Sequence, residues 1–489
     1  MKHLKKWCSV LLVLLMLSGL ISCKNDKSNG GGTIGGTETN ETSVDLYDQY
    51  GYWKDQLPEG LNFNAETVKV LGWTTGKSDF FAESLSDNDL IQSAVYARNR
   101  AVETRLNINL TFELTSHNTN GDFLEKVSQN YFSGLYEFDL LGGYTRDIAS
   151  CIIQGFLQDM GDLTYTNLDN PWWPASLKDK SIVNGKLYFA SGDIAPSNIT
   201  SIGVVYFNKN MIGVFDLENP YDLVDDGTWT LDKMLEMAKD IYVDDGETSG
   251  QKDDKDTYGY MSNALQSQQL YWGAGMSWVE VIDGKYALSS DFVGVKMESY
   301  LSKLCTMLHT WEGGRLSGSG VAQFSAGKVL FITNALSYSK SHFSSITSFN
   351  YGIVPSPKWS AEQDQYYGSV GNTTTLYAIP SSVNRLDKSD ATLEALASES
   401  YRSVSPVICD TALTIRYAPD ENFRKIFDIL RNGIIYEPGR IFNNVFEGCA
   451  MAKAYNICVT NNNPNFIAYY EGQKNIADNI IKTINGGLK

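Results

Sequence analysis

Histidine is nearly missing from this chain, with four among 489 residues. His3 lies in the N-terminal segment described below, and His117, His309 and His342 stand far apart. No HExxH or comparable metal spacing exists, and no GxSxG elbow offers a serine nucleophile. Cysteine is scarce, at seven. Besides Cys8 and Cys23, the set Cys151, Cys305, Cys409, Cys449 and Cys458 is odd in number and shows no CxxC spacing, so it cannot pair completely within one chain. Small buried thiols are expected, with Cys449–Cys458 the one conceivable bridge. Positive charge is short: 40 Lys and Arg face 57 Asp and Glu, for a net charge of −17. Phosphate backbones are held by Lys/Arg patches, which excludes nucleic acid as an expected partner, and the same sign argues against adhesion to anionic lipid. The acid-dense stretch Asp244 to Asp256 (DDGETSGQKDDKD) lacks the DxDxDG spacing of a calcium loop and is expected to be solvated. No metal, cofactor or catalytic group is therefore expected. After residue 22, no apolar run approaches the ~20 residues of a membrane-spanning helix.

The N-terminus carries what the rest lacks. Lys2, Lys5 and Lys6 precede the apolar run Val10 to Leu17 (VLLVLLML), and Leu20-Ile21-Ser22-Cys23 closes the segment. Positive start, short apolar stretch and small residue before a cut make a secretory signal. The last four residues resemble the bacterial lipobox, which implies lipid attachment to Cys23 and cleavage before it. Residues 1–22 are then a signal peptide. Lys24 to Ser43 (KNDKSNGGGTIGGTETNETS) contains almost nothing to bury. It is expected to act as a leash with a typical span of about 25 Å, and residues 23–65 as a whole are assigned to lipidated cysteine and flexible linker. The protein is thus expected at the cell membrane, on the extracytoplasmic face, held by its lipid alone.

The folded part begins as strand, helix, strand. Val68 to Trp73 (VKVLGW) is apolar with a β-branched bias. Leu90, Ile91, Ala94, Val95, Ala101, Val102 and Leu106 recur at helical spacing, and Asp87 and Asp89 are placed to cap that helix. Ile108, Leu110, Phe112 and Leu114 alternate with polar residues. This order predicts a right-handed parallel crossover. A further strand is read over Tyr136 to Leu141, ending in Gly142-Gly143-Tyr144. Ligands of open parallel sheets bind outside the carboxyl ends of the strands, which draws attention to Trp73-Thr74-Thr75 and Gly143-Tyr144-Thr145. Residues 186–209 read as two strands around a polar loop, and Thr230 is a good N-cap for a helix with Leu231, Met234, Leu235, Ala238 and Ile241 on its apolar face.

Several segments, in order, resemble the extracellular solute-binding proteins of bacterial ABC importers, in the carbohydrate-binding branch that includes maltose-binding protein. They are VVYFNK at 204–209, PYDLVDDGTWTLDKM at 220–234, FSAGKVLF at 324–331, NYGIVPSPK at 350–358, GSVGNTTTLYAIP at 368–380, LASESYRSVSPVICDTAL at 396–413 and GIIYEPG at 433–439. The resemblance spans roughly residues 66–485. It implies a two-lobed α/β fold (type II, periplasmic-binding-protein-like) with hinge strands and a ligand cleft between the lobes. Lobe I would be 66–204 plus 376–432, and lobe II 205–375 plus 433–489. It further implies a monomer that binds a carbohydrate, in particular an oligosaccharide, without turnover and delivers it to ABC importer permease subunits.

Sugars present flat C–H faces and a rim of hydroxyls, so a site needs aromatic planes and hydrogen-bonding side chains. Trp73, Tyr144, Trp272 and Trp311 are the candidate platforms; Trp272, in YWGAG, sits at a place resembling the family's lobe-II stacking loop. Thr74, Asp193, Asn334, Ser337 and Asn372 are the candidate hydrogen-bonding residues. Of Trp172 and Trp173, at least one is expected to pack beneath the cleft. A secreted glycoside hydrolase fits the same composition but needs two carboxyls at ~5–5.5 or ~6.5–9.5 Å, and no such pair is recognisable. A non-sugar solute, peptide or polyamine, stays open.

Overall fold

Strand β1 (Glu66–Trp73) buries Val68, Val70, Leu71 and Trp73 to 1 % exposure or less. Side chains buried on both faces mark a central strand covered by helices on both sides. In a computed structural model, which describes residues 46–85, 89–116, 121–246, 251–318, 320–371, 374–414, 421–446 and 451–487, β1 pairs in parallel with β2 (Ile108–Thr115) and with β3 (Leu140–Tyr144). The positions proposed at Cys23 and Asn372, and His117 and Cys449 with them, lie outside the described residues. The helix between β1 and β2, Leu90–Leu106, is capped by Asp89, whose carboxylate accepts from Gln92 N. It ends at Asn107 in the left-handed region.

The third strand starts later than its sequence suggests. Tyr136 adopts φ 50°, which breaks extended structure, and the strand proper contains Gly142 and Gly143 rather than ending at them. A Cβ on Gly143 would lie 2.8 Å from side-chain atoms of Phe123 and Ile148. The helices Asp122–Ser133 and Thr145–Gln154 can therefore approach this strand only where it lacks a side chain. Of the two strands read in 186–209, only the second forms, as β4 (Gly203–Asn208). Val183 and Ala190 make isolated bridges, and the short helix Pro196–Thr200 occupies the intervening loop.

The second half of the fold is built on β4, β5 (Tyr242–Val243), β6 (Thr257–Ser262), β9 (Gly314–Leu316), β10 (Val329–Ala335) and β11 (Tyr351–Pro355); β7 (Val279–Ile282) and β8 (Lys285–Leu288) form a separate hairpin. The strand order is β11-β4-β10-β6-β5, with β9 beside β6. β4 is antiparallel to both β10 and β11. Thr230 caps the helix Leu231–Ala238 by accepting from Lys233 N, as its position predicts, and Leu231, Met234, Leu235 and Ala238 are buried. The chain recrosses through β12 (Gly368–Ser369) to β13 (Thr375–Ala378), which joins the first sheet antiparallel to β3. It returns after the helices Leu386–Ser403, Ser405–Thr414 and Glu421–Asn432 through β14 (Ile434–Ile435), paired with β12. Cys151, Cys305, Cys409 and Cys458 are buried free thiols. Among the described residues no helix is long and apolar enough to cross a membrane.

Residues 47–65 differ from the linker expected of them. They are part of the compact unit 47–489. Leu57 and Phe63 belong to the core. Asp55, its side chain 2 % exposed, receives both Nη atoms of Arg105 at 2.7 and 2.6 Å and Ser398 Oγ at 2.6 Å. Trp53 Nε1 donates to Asn170 Oδ1 at 3.2 Å. The apolar and charged residues of this stretch find partners on the helices Leu90–Leu106 and Leu386–Ser403, which a low-complexity leash lacks the side chains to do.

Behind Asn170 lies Glu394, fully buried, which accepts from Asn170 Nδ2 at 2.7 Å and Trp173 Nε1 at 3.0 Å. Burial pushes its pKa up to about 8, against the lowering effect of those donors. The native state therefore keeps a proton that the unfolded chain releases near the ordinary carboxylate pKa, so stability should fall as pH rises from about 4.5 and level off above about 8. Glu394→Gln should lessen that dependence, with buried Asp79 and Asp193, whose pKa values are also raised, keeping part of it. Urea unfolding of both proteins at pH 5, 6.5 and 8.5 checks it; an unchanged slope in the variant would rule Glu394 out as its source.

Candidate functional site

The segments that follow β1 and β10 meet at one groove of about 480 Å³ between the two halves of the fold. On the first side, the turn Lys77–Asp79 follows β1 and brings Ser78 and Asp79 to the wall. The helix Pro196–Thr200, started by a proline at its first turn, adds Ser197 and Thr200. On the second side, β10 ends at Ala335 and the chain turns through Leu336 into the helix Tyr338–Ser341, presenting Ser337, Ser339 and Ser341. The two sides are tied by Leu336 N to Ile202 O at 2.9 Å and Ser337 N to Thr200 O at 2.7 Å. Ile91, Pro196, Leu336 and Ile408 supply apolar surface, and Lys340 reaches across to Asp89 at 3.9 Å.

Asp79 is the electrostatic centre of this wall. It is 1 % exposed. Its carboxylate accepts from Ser197 N at 2.7 Å, Ser197 Oγ at 2.6 Å and Thr375 Oγ1 at 2.5 Å. Burial raises its pKa, and the bonds from Ser197 and Thr375 hold it down in part. Thr375 Oγ1 also accepts from Trp73 Nε1 at 3.0 Å. Arg98, buried beside it, donates to the backbone carbonyls of Asp79 and Ile194 at 3.1 and 3.0 Å. Such a wall offers neutral hydroxyls backed by fixed charge, suited to a polar, multiply hydroxylated ligand.

The proposed binding residues divide among several places. Ser337 lines the groove. Thr74 is exposed at the end of β1, its hydroxyl donating to Thr115 O at 2.9 Å. Trp73 is 1 % exposed, its ring 5.2 Å from that of half-buried Tyr144. Trp272 is fully buried, against Tyr271 at 4.9 Å and Trp278 at 5.2 Å, with the Arg440 guanidinium 5.3 Å from its ring centre. No face of the Trp272 ring is left for stacking in this conformation. Asn334 is likewise fully buried inside the second sheet. Asp193 lines a different cavity, of about 350 Å³, beside Trp172 and Trp173, and is paired with Arg431 at 2.8 Å. Burial raises the Asp193 pKa, opposed by Arg431. Trp311 sits apart on a surface groove with Asp232 and Lys303. Both Trp172 and Trp173 are packed inside, at 1 and 3 % exposure. No aromatic side chain lines the main groove among the described residues.

Sequence reasoning missed Asp79, Asp89, Lys340 and the pair Glu437–Arg440. Asp79 had a signal, since Gly76-Lys77-Ser78-Asp79 is a polar turn directly after a buried strand. Arg98 had another, as a lone charge among Val95 and Val102 on the buried helix face. Arg440 follows the GIIYEPG segment; its Nη1 donates to Ser369 Oγ at 2.7 Å, and burial brings its pKa down to about 10. Glu437, 1 % exposed, accepts from Trp278 N and Val279 N at 3.0 and 2.9 Å, fixing the β14 return to the β7 hairpin. In the acidic loop, Asp244, Asp245 and Asp256 converge. The Asp256 carboxylate is taken up by Asp245 N, Asp253 N and the hydroxyls of Tyr242 and Tyr258 at 3.0–3.2 Å.

No protein-family model matches the chain, and no curated protein matches it. Solved structures do. An ABC substrate-binding protein from Listeria monocytogenes in complex with cycloalternan aligns over 86 % of this chain and 99 % of its own, with TM-score 0.51 and 13 % identity. A sugar transporter from Rhizobium etli in an open conformation aligns over 87 % and 99 %, with TM-score 0.53 and 14 % identity. The galacto-N-biose/lacto-N-biose I-binding protein of a Bifidobacterium longum ABC transporter, in complex with lacto-N-biose, covers 86 % and 98 %, with TM-score 0.51 and 12 % identity. The fold is therefore the two-lobed α/β fold of solute-binding proteins.

Because Trp272 is enclosed, Trp272→Ala should cost about 3–5 kcal/mol of stability, measured by urea unfolding. A loss below about 1 kcal/mol would mean that the ring is not held in the core in solution.

Proposed function

We propose that this protein is the lipid-anchored, extracytoplasmic receptor of an ABC importer, binding a carbohydrate, in particular an oligosaccharide, in the groove between its halves and handing it to the permease. The observation that carries this is the groove's position: it lies between the segments that follow β1 of one sheet and β10 of the other, in a fold whose halves are joined by three chain crossings, and hydroxyls line both walls. The structural relatives support it, since the proteins with cycloalternan and lacto-N-biose share this fold. Closure of two halves around a solute needs only that the solute bind the closed form better. Asp79 and Asp89 are already engaged, by three donors and by Lys340, which favours binding over hydrolysis. The export signal and Cys23 supply the address, and a leash of about 25 Å keeps the receptor near its permease.

The test is a titration of the mature protein with a panel of linear and cyclic oligosaccharides, read by tryptophan fluorescence and melting temperature. A sugar at 100 times its Kd should add about 2.7 kcal/mol. Ser337→Trp, which fills the groove, should abolish the response and leave the melting temperature of the free protein within a few degrees. Response to a peptide or polyamine but no sugar would overturn the carbohydrate assignment, and release of shorter sugars would overturn binding without turnover. In cells fed a labelled fatty acid the protein should take up label and Cys23→Ser should not; an unlabelled parent protein, or equal labelling of the variant, would refute a lipid at Cys23.

A further inference from the structure

The segment preceding β1 does more than enter the fold. Tyr52 packs edge-on against Tyr401, ring centres 5.7 Å apart. The Tyr401 ring also meets Trp172 at 5.9 Å and carries the Arg431 guanidinium 5.1 Å from its centre. Arg431 Nη1 donates to Asp193 Oδ2 at 2.8 Å and to Pro171 O at 2.9 Å. Asn170, next to Pro171, accepts from Trp53 of the same segment. Tyr52 and Trp53 thus touch two of the groups around Arg431: the ring it stacks on, and the residue next to the carbonyl it bonds. Two residues beyond Arg431 the chain makes its last crossing: Gly433 O accepts from Gly368 N at 2.9 Å, and Ile434 and Ile435 pair with Gly368 and Ser369. Arg431, two residues before this crossing, is therefore held on the first half by groups whose positions residues 52–53 help to set.

We propose that the strap 47–57 restrains the hinge at Gly433–Ile435, acting through Tyr401 and Arg431. The strap lies between the leash and the fold, so the point where the chain is tied to the protein body is also a point that biases its opening. Two features of the segment fit a fastened element rather than a passive lead-in. The Asp55 ion pair with Arg105 anchors one end to the helix Leu90–Leu106, while Asp48 organises the other by accepting from Tyr50 N and Tyr52 N at 2.9 Å. The proposal does not depend on which solute occupies the groove.

Coupling of this kind is reciprocal, and that makes it testable without a ligand. Backbone hydrogen exchange is followed by mass spectrometry on the mature protein. Tyr52→Ala should speed exchange at Gly433–Tyr436 by about five-fold or more, with exchange in β1 unchanged. Arg431→Lys, which keeps the charge and removes the planar stack, should in turn speed exchange at Tyr50–Trp53. The exposed Gln56→Ala should do neither. If Tyr52→Ala loosens only residues 47–57, or if Arg431→Lys leaves Tyr50–Trp53 as in the parent, the proposal fails. Should Tyr52→Ala prove globally unstable, seen as faster exchange in β1, the Arg431→Lys outcome alone decides.

Discussion

Asp79 is a carboxylate withdrawn from water and met by three neutral donors. A buried charge is tolerated only where hydrogen bonds replace its hydration. Here the donors come from distant parts of the chain: the backbone and hydroxyl of Ser197, and the hydroxyl of Thr375 on the returning strand β13. The Thr375 hydroxyl accepts from the indole N–H of Trp73 at the end of β1 and gives its own proton to Asp79. Ser191 Oγ donates to Thr375 O at 2.8 Å, carrying the network on toward the first crossing. The groove wall, the helix Pro196–Thr200 and the β13 return are therefore joined through one carboxylate.

The crossings impose a second constraint. Three chain segments pass between the halves in a narrow waist, and backbone must lie against backbone there. At Gly433 a Cβ would stand 2.2 Å from Tyr366 O, so any other residue would push β14 off β12. Arg440 reaches back from just beyond this crossing to Ser369 on β12, and Glu437 binds the amides of Trp278 and Val279. The polar groups near the waist thus serve its own geometry, which leaves the groove to be lined by short hydroxyl side chains from both halves.

This division explains where the aromatic residues went. A tryptophan buries some 150–250 Å², and Trp73, Trp172, Trp229 and Trp272 are all fully enclosed. They wall the two halves and the waist rather than facing the groove. Trp229, for example, donates through Nε1 to Pro355 O at 2.9 Å, locking the edge strand β11.

The sequence by itself determined the elements whose signal is local. Apolar periodicity located β1 and the helix Leu90–Leu106, Asp89 and Thr230 could be read as caps because capping is a matter of three or four residues, and the ordered segments from VVYFNK to GIIYEPG carried the two-lobed architecture. Of the groove, only Ser337 was legible, because position after a buried strand is also a local property. What tertiary structure alone decided was which polar and aromatic residues face solvent. Trp272 and Trp73 are the same residue type whether they stack on a ligand or on Trp278 and Tyr144. Asp193 became an ion-pair partner only because Arg431, 238 positions away, was folded against it. Asp55 likewise turned part of an apparent linker into a fastened strap, because Arg105 and Ser398 stand where its carboxylate can reach them. Composition cannot register such pairings, since they are made by contacts between segments that are remote in the chain.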